Sequence, residues 1–368
     1  MLFLRILLLT VFGLQVSLSM AQKNRDAPLR VGVAGLVHTH VHWILGREDI
    51  GDIEIVGIAE PNLELAKRYA AQHGFSMDIV YPTLEAMLDA VQPEAVTAFN
   101  TIKGHLEVVE KCAPRGIHVM VEKPLAISLE DAIKMESLAK QHGIQLLTNY
   151  ETTWYGSNHE AYRMLVEDKV LGPIRKIVVH DGHEGPKEIG VNDEFLEWLT
   201  DPEFNGAGAL FDFGCYGANL STWFMEGKRP LSVLAVTQQI KPSVYPDVDD
   251  EATIILIYPE AQAIIQASWN WPFSRKDTEI YGETGYAIAR DAVAMEIRLA
   301  GESQAVNKEA SSRKFPQNDP FSLLAAVIRG RLVLPPYALS SLENNMIVME
   351  ILEAARASAS SGRAVAIE

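Results

Sequence analysis

Cysteine is nearly absent from this chain. Cys112 and Cys215 are the only two in 368 residues, so no disulfide framework holds the protein together. Both thiols read as buried and unpaired, Cys112 on a helical stripe with Leu106, Val109 and Ala113. Positive charge is also in short supply. Thirty-two Lys and Arg against 48 Asp and Glu leave a formal charge of −16, which argues against nucleic acid or an anionic membrane surface as partner and favours small molecules. No internal repeat or low-complexity tract is present. After the first 21 residues, no stretch offers the roughly 20 apolar residues that a membrane span needs.

Those first residues read as a signal for export. Met1 to Ala21 has one early charge, Arg5, then an apolar run from Ile6 to Leu14, then Ser19-Met20-Ala21 placed for cleavage before Gln22. The apolar run is too short for a comfortable span. No cysteine lies at the cut to take a lipid, and no twin arginine precedes the run, which points to export in the unfolded state. The expected mature protein is soluble, in a bacterial periplasm, with its charge at −17 once Arg5 is lost. Translation from Met20 would instead keep it in the cytoplasm.

What is present is a change of rhythm near Tyr150. From residue 28 to 150, short apolar strands (Leu29–Ala34, Ile53–Ala59, Ala95–Phe99, Ile117–Val121, Ile144–Thr148) alternate with helical stretches such as Leu63–His73 and Leu129–His142. Ser128 with Asp131 forms a capping box and Gly143 closes that helix. This alternation predicts a doubly wound parallel sheet of Rossmann type. From 151 to 368 the pattern predicts a helix near His159–Val166, a strand at Ile174–His180 and a helix at Asp193–Leu199. Successive strands follow at Leu231–Gln239, Ala252–Tyr258, Ala261–Ser268 and an Ile280–Ala289 hairpin turning at Gly282-Glu283-Thr284-Gly285. A capping box at Ser340 and Glu343 opens a closing helix. The second half is therefore expected to be an α+β domain with a mostly antiparallel sheet.

Chemistry concentrates in three places. Ile117 to Val121 reads as a strand buried on both faces, and Glu122-Lys123-Pro124 puts two charges at its carboxyl end, the edge where open α/β sheets bind ligands. After the first strand, Gly35-Leu36-Val37-His38-Thr39-His40 matches a dinucleotide fingerprint only at Gly35, with Val37 and His40 where glycines are usual. The Cβ of Val37 is expected to push a pyrophosphate outward. Glu60 ends the second strand, where an acid accepts ribose hydroxyls and repels a 2′-phosphate, so NAD is favoured over NADP. His38, His40 and His42 alternate like metal ligands but fall at a helix start, where alternation separates them, and no metal is expected. In the second half, a helix from Gly208 to Phe224 would line up Asp212, Tyr216, Asn219 and Trp223 as a polar stripe. A buried helix carries such a stripe only if the groups bond one another, line a cavity or meet a ligand.

Glu122-Lys123-Pro124, the glycine-rich approach to the Asp212-x-Gly214-x-Tyr216 helix, and the Gly282-x-x-Gly285 hairpin occur in an order and spacing that resembles the Gfo/Idh/MocA oxidoreductases. The resemblance covers nearly the whole mature chain. It implies NAD, held at Gly35, Val37, His38, Glu60, Asn100, Thr101, His105, Glu122 and Lys123, with Lys123 touching both nicotinamide and reacting hydroxyl. It implies Lys123, Asp212 and Tyr216 as catalytic groups, Tyr216 standing where the family usually has histidine, as in the branch resembling glucose-fructose oxidoreductase and dihydrodiol dehydrogenase. Tyr216 would serve as base if the Lys123 ammonium lowered its pKa. Lys123, His183 and Asn219 would contact a sugar or related polyol, with further contacts near His180, Asp181 and Glu184, and the antiparallel sheet would pair copies into a homo-oligomer. Two other readings are a glycoside-cleaving enzyme that recycles its coenzyme without net redox change, and a cofactor-free sugar-binding protein on the same fold.

Overall fold

The structure, a computed structural model, describes residues 27–367. The proposed export signal lies outside them. The first half alternates as its sequence does: β1 (Leu29–Ala34), α1 (Val41–Leu45), β2 (Ile53–Ala59), α2 (Leu63–His73), β3 (Val80–Tyr81), α3 (Leu84–Val91), β4 (Ala95–Ala98), α4 (His105–Cys112), β5 (His118–Glu122), α5 (Leu129–His142) and β6 (Leu146–Asn149). All six strands are parallel in the order β3-β2-β1-β4-β5-β6, the doubly wound order with its switch point between β1 and β4. Local chemistry sets the helix ends. Asn62 accepts the N–H groups of Glu64 and Leu65, Ser128 accepts that of Asp131, and Gly74 and Gly143 close their helices in the left-handed region.

The second half begins with α6 (Gly156–Tyr162), continued by a π-helical turn to Glu167, then β7 (Ile174–Gly182), α7 (Asp193–Leu199), α8 (Pro202–Asn205), α9 (Ala209–Asp212) and α10 (Gly214–Phe224). Then come β8 (Ser232–Gln238), β9 (Glu251–Ile257), β10 (Gln262–Ser268), β11 (Arg275–Gly282), β12 (Gly285–Ala289), β13 (Ala294–Leu299), β14 (Val306–Glu309), α11 (Pro320–Ile328), α12 (Leu342–Ser361) and β15 (Val365–Ala366). The sheet runs β14-β13-β12-β11-β7-β10-β9-β8-β15 and is antiparallel except where β7 meets β10. Strands β9 and β10 alternate buried and half-buried residues, so one face packs under α9, α10 and α12. Helix α11 does not stay with this sheet. Phe321, Leu323 and Leu324 pack with Leu29, Val31 and Val33 of β1.

Two expectations need correction. The closing helix is capped by Ser341, which accepts the N–H of Asn344, not by Ser340 with Glu343. The expected helix from Gly208 to Phe224 is two, broken at Phe213. The cause is Asp249, whose carboxylate takes the N–H groups of Gly208 and Leu210 while its carbonyl takes that of Ala209. The short α9 is thereby pinned at its own angle.

Candidate functional site

Strand β5 carries Glu122 and Lys123 to the carboxyl edge of the parallel sheet, and the Lys123–Pro124 bond is cis. The buried Lys123 ammonium donates to the Asp212 carboxylate at 2.5 Å and to the Asp212 carbonyl at 3.0 Å. That carbonyl is free for it because α9 ends there. The second carboxylate oxygen of Asp212 accepts the Trp269 indole N–H at 3.0 Å. The expected convergence of Lys123 with Asp212 and Tyr216 is thus what the fold delivers: the Lys123 nitrogen lies 5.1 Å from the centre of the Tyr216 ring.

A second ammonium went unread in the sequence. Lys276 on β11 pairs in register with Asp181 on β7, so both side chains leave the same face of the sheet. Lys276 bonds Glu151 and lies 4.7 Å from the Tyr216 ring centre. Tyr150 meets Tyr216 edge-on at 5.3 Å. The result is a buried chamber between the domains with two ammonium groups and three carboxyls, Asp212, Glu151 and Asp181, around one phenol.

Electrostatics divides these groups by charge state. Burial alone would lower the Lys123 ammonium, but Asp212 at hydrogen-bond distance outweighs it and holds Lys123 charged. Burial would raise Asp212, yet Lys123 brings it below the usual carboxylate range. Asp181 goes the other way. Its burial, only partly offset by Lys276, raises it well above that range, and its Oδ1 has no hydrogen-bond partner among the described residues. Tyr216 does not become a phenolate: burial, then Glu151 and Asp181, push it far above 10. This runs against the expected tyrosinate base: burial and the Glu151 and Asp181 carboxyls, beside the Asp212 that the sequence did place there, work against ionisation of the ring.

The phosphate loop has its own packing. Gly35 takes φ of 80°, and a Cβ there would sit 2.8 Å from Asn100, so glycine is required where the β1 and β4 turns touch. His38 and His40, expected to be kept apart, come together with their rings 4.7 Å apart, because both precede α1 in a turn. His40 bonds Glu122 at 2.8 Å and Glu122 also accepts Asn149. Burial lowers His38 well below 6.5, His40 to about 3 and His105 to about 4, so all three are neutral. His38, His40 and Glu122 approach the spacing of metal ligands. However, His38 accepts the His40 N–H on Nδ1, which leaves the ring proton on Nε2, the nitrogen that faces Glu122 and would have to offer the lone pair. His42 turns away to His73. Glu60 is buried, accepting Leu36 N–H on one oxygen and Asn62 N–H on the other. Thr101 caps the turn leading to His105, whose Nδ1 meets the Leu125 carbonyl.

Other sequence-selected residues divide. His183 reaches the chamber wall, its ring 4.9 Å from Phe213. His180 lies on the opposite face of β7 with Asp277, and Glu184 offers its carbonyl to Lys241. Asn219 is not brought to the chamber. Its amide is fully buried and donates to the Leu339 carbonyl and Asn344, tying α10 to α12. Trp223 stacks on Tyr162. Only the first two members of the expected stripe serve the site; Asn219 and Trp223, one and two turns farther along α10, are taken up by packing against α12 and α6.

Two family profiles cover most of the described chain. The one described as an oxidoreductase family with an NAD-binding Rossmann fold matches residues 29–150, and that of the GFO/IDH/MocA C-terminal domain matches residues 159–288. The chain belongs to the Gfo/Idh/MocA oxidoreductase family. Among relatives, it is 26% identical to a trans-1,2-dihydrobenzene-1,2-diol dehydrogenase of Xenopus tropicalis over 59% of this chain and 61% of that one. It is 29% identical to the D-glucoside 3-dehydrogenase of Escherichia coli K12 over 52% of each. The matched stretch thus spans about half to three fifths of these relatives' lengths. The aldose-aldose oxidoreductase of Caulobacter crescentus, solved with glycerol, superposes with a TM-score of 0.76 over 92% of this chain and 100% of that one, at 22% identity, which speaks to the fold.

For a Gfo/Idh/MocA protein the test is whether the strand-end edge suits a nicotinamide dinucleotide. Four buried polar atoms there, His38 Nε2, Thr39 Oγ1, Asn100 Oδ1 and His105 Nε2, have no hydrogen-bond partner among the described residues. Such groups are costly unless something completes them. They lie on the turns after β1 and β4 and at the first residue of α4, the two sides of the switch point, so the residues fit the coenzyme.

Proposed function

We propose that this protein is a nicotinamide-dependent oxidoreductase acting on a hydroxyl of a sugar or related polyol. The observation that carries the reading is the buried Lys123–Asp212 pair facing Tyr216 and Asp181 between the two domains. When bound, the nicotinamide supplies the hydride acceptor or donor. The chain's own groups do the rest. The Lys123 ammonium binds the substrate oxygen and stabilises negative charge on it, ionised Asp212 receives the hydroxyl proton, and Tyr216 and Asp181, both neutral, offer hydrogen bonds to neighbouring hydroxyls. A paired ammonium and a neutral acid suit an uncharged polyol better than a carboxylate or phosphate ester. The dehydrogenase activities of the relatives support the same class.

The coenzyme is proposed to be NAD, because the Glu60 carboxylate at the end of β2 disfavours a 2′-phosphate while each of its oxygens keeps a lone pair for a ribose hydroxyl. Calorimetric titration is expected to show NAD binding more tightly than NADP, and the reverse order would remove this role from Glu60. Val37→Gly should tighten NAD further. Turnover of glycosides and polyols should then require added or retained NAD; cleavage of a glycoside without net reduction of coenzyme would instead mark a closed redox cycle. Tyr216→Phe is expected to lower kcat/KM without moving the pH profile between 6 and 10, since the phenol stays protonated throughout. A lost alkaline limb would restore the phenolate.

Export through residues 1–21 and assembly through the long sheet complete the proposal. Half-buried Ile255, Ile257 and Ile264 on the sheet's outer alternation support a covering copy. Cell fractionation and light scattering test these two points.

A further inference from the structure

Between Gly182, at the end of β7, and Gly208, before α9, the chain makes an excursion that neither sheet needs. Left-handed glycines mark both flanks: Gly185 (φ 126°) and Gly190 (φ 71°) before it, Gly206 (φ 90°) after it. The part between them, α7 and α8, belongs by sequence to the second half, yet the side chains it extends reach the first. The Trp198 indole N–H points at the Val37 carbonyl at 3.4 Å. Phe195 and Trp198 pack on the His38 ring at 4.9 and 5.7 Å. Asn192 donates to the Tyr69 hydroxyl at 2.8 Å, and Glu194 accepts from Tyr69 and Arg68 on α2. Lys103, in the turn after β4, pairs with Glu203 and lies over Phe204.

These contacts fall on three elements: the loop after β1, the helix after β2, and the turn after β4. In a Rossmann sheet they are the elements that bound the pyrophosphate, the adenosine ribose and the nicotinamide side of a dinucleotide. We propose that residues 191–205 form a hinged roof over the coenzyme site, with Phe195 and Trp198 closing it at the phosphate loop and Glu194 latching it to α2. The roof rests on the proposed coenzyme reading. Beneath it the His38 N–H bonds the Phe99 carbonyl at 2.9 Å, so the β1 and β4 turns are drawn together as well. A dinucleotide entering from solution needs the roof lifted and that gap widened. The ties are polar and can break and reform: Lys103–Glu203 is an exposed ion pair, and Arg68, the cation of the Arg68–Glu194 pair, is itself exposed. The two aromatic rings supply the apolar part of the closure. A roof that shuts again after loading retains the coenzyme, which is what an enzyme working away from the cytosolic nicotinamide pool would need.

The test measures coenzyme release directly. Full-length protein is loaded with NADH, and loss of bound-NADH fluorescence is followed after a chase of excess NAD, in wild type, Trp198→Ala and Glu194→Ala. Release should be about tenfold faster or more in Trp198→Ala and severalfold faster in Glu194→Ala, since changes in retention appear mainly in dissociation rates. Glu194→Ala, at a largely polar latch, guards against a folding defect in the tryptophan variant. Hydrogen exchange adds a second readout: Asp193–Leu199 should exchange more slowly with NAD bound than without. Release rates within twofold of wild type in both variants, with unchanged exchange, overturn the roof while leaving the coenzyme reading standing. Binding of NAD by Trp198→Ala but not by wild type supports a roof that stays shut. Failure of wild type and both variants to bind NAD or NADP overturns the coenzyme reading and the roof together.

Discussion

Lys123→Met is expected to lower kcat/KM by about 10² or more, the scale of a lost acid-base or charge-stabilising group. The same change should cost about 3–5 kcal/mol of stability, because the Asp212 carboxylate is left buried with the Trp269 N–H as its remaining side-chain donor. The two effects can be separated. Lys123→Met combined with Asp212→Leu removes both charges, so stability should recover much of what the single variant lost while activity stays down. Steady-state kinetics and thermal unfolding of the two single variants and the double variant form the measurement. Full activity in the double variant would falsify the role given to the pair. An activity loss that disappears with the stability loss would mean that the pair only holds the domains together.

Gly208→Ala carries the second large effect, and it acts from outside the chamber. A Cβ at this position would stand 1.7 Å from the Asp249 carbonyl oxygen and 3.0 Å from the Asp249 nitrogen. Both are backbone atoms and cannot swing aside as a side chain would, so a cost of about 3 kcal/mol is expected. The displaced Asp249 also loses its hold on Gly208 and Leu210, and α9 carries Asp212 with it. The purified variant should therefore show a lower unfolding midpoint and a fall in kcat, whereas a purely structural defect remote from the site would lower only the midpoint. Wild-type kcat in the folded fraction would break the link from Asp249 through α9 to Lys123.

How much of this was legible depends on whether a signal was local. Strand ends, caps and the Rossmann alternation were, because each is set by a few neighbouring residues: β1, β2, α2, α5 and α7 have the boundaries the pattern gives. Glu122-Lys123 was legible because two charges end an apolar run. Lys276 was missed although the same signal was there in period two. Ile280, Thr278 and Lys276 share one face of β11, and Ile177, Val179 and Asp181 share the facing stripe of β7, each ending in a charge. Reading it required the register between strands nearly a hundred residues apart. The same gap explains Tyr216 and Asn219. A phenol's ionisation depends on every charge around it, and two of the three carboxyls, Glu151 and Asp181, come from distant elements. Asn219 was placed by its helical spacing from Tyr216, and what takes it from the site is Leu339 and Asn344, more than a hundred residues along the chain.

Helix α11 has a consequence for how the molecule can be cut. Arg329 bonds Glu94 beside β4, Asp319 and Ser322 meet Arg47, and Phe321 sits with Phe99 under the parallel sheet. The nucleotide half is therefore finished only by residues made some 170 positions after its last strand, and the chain then returns to the antiparallel half with α12 and β15. Expressed alone, residues 27–150 would lack one wall of their own core and should aggregate. A circularly permuted or split protein should tolerate a break in the hairpin loops of the antiparallel half far better than one between β14 and α11. During synthesis the core of the parallel half lacks its α11 wall until nearly the whole chain has emerged, so the two halves are expected to unfold in one transition.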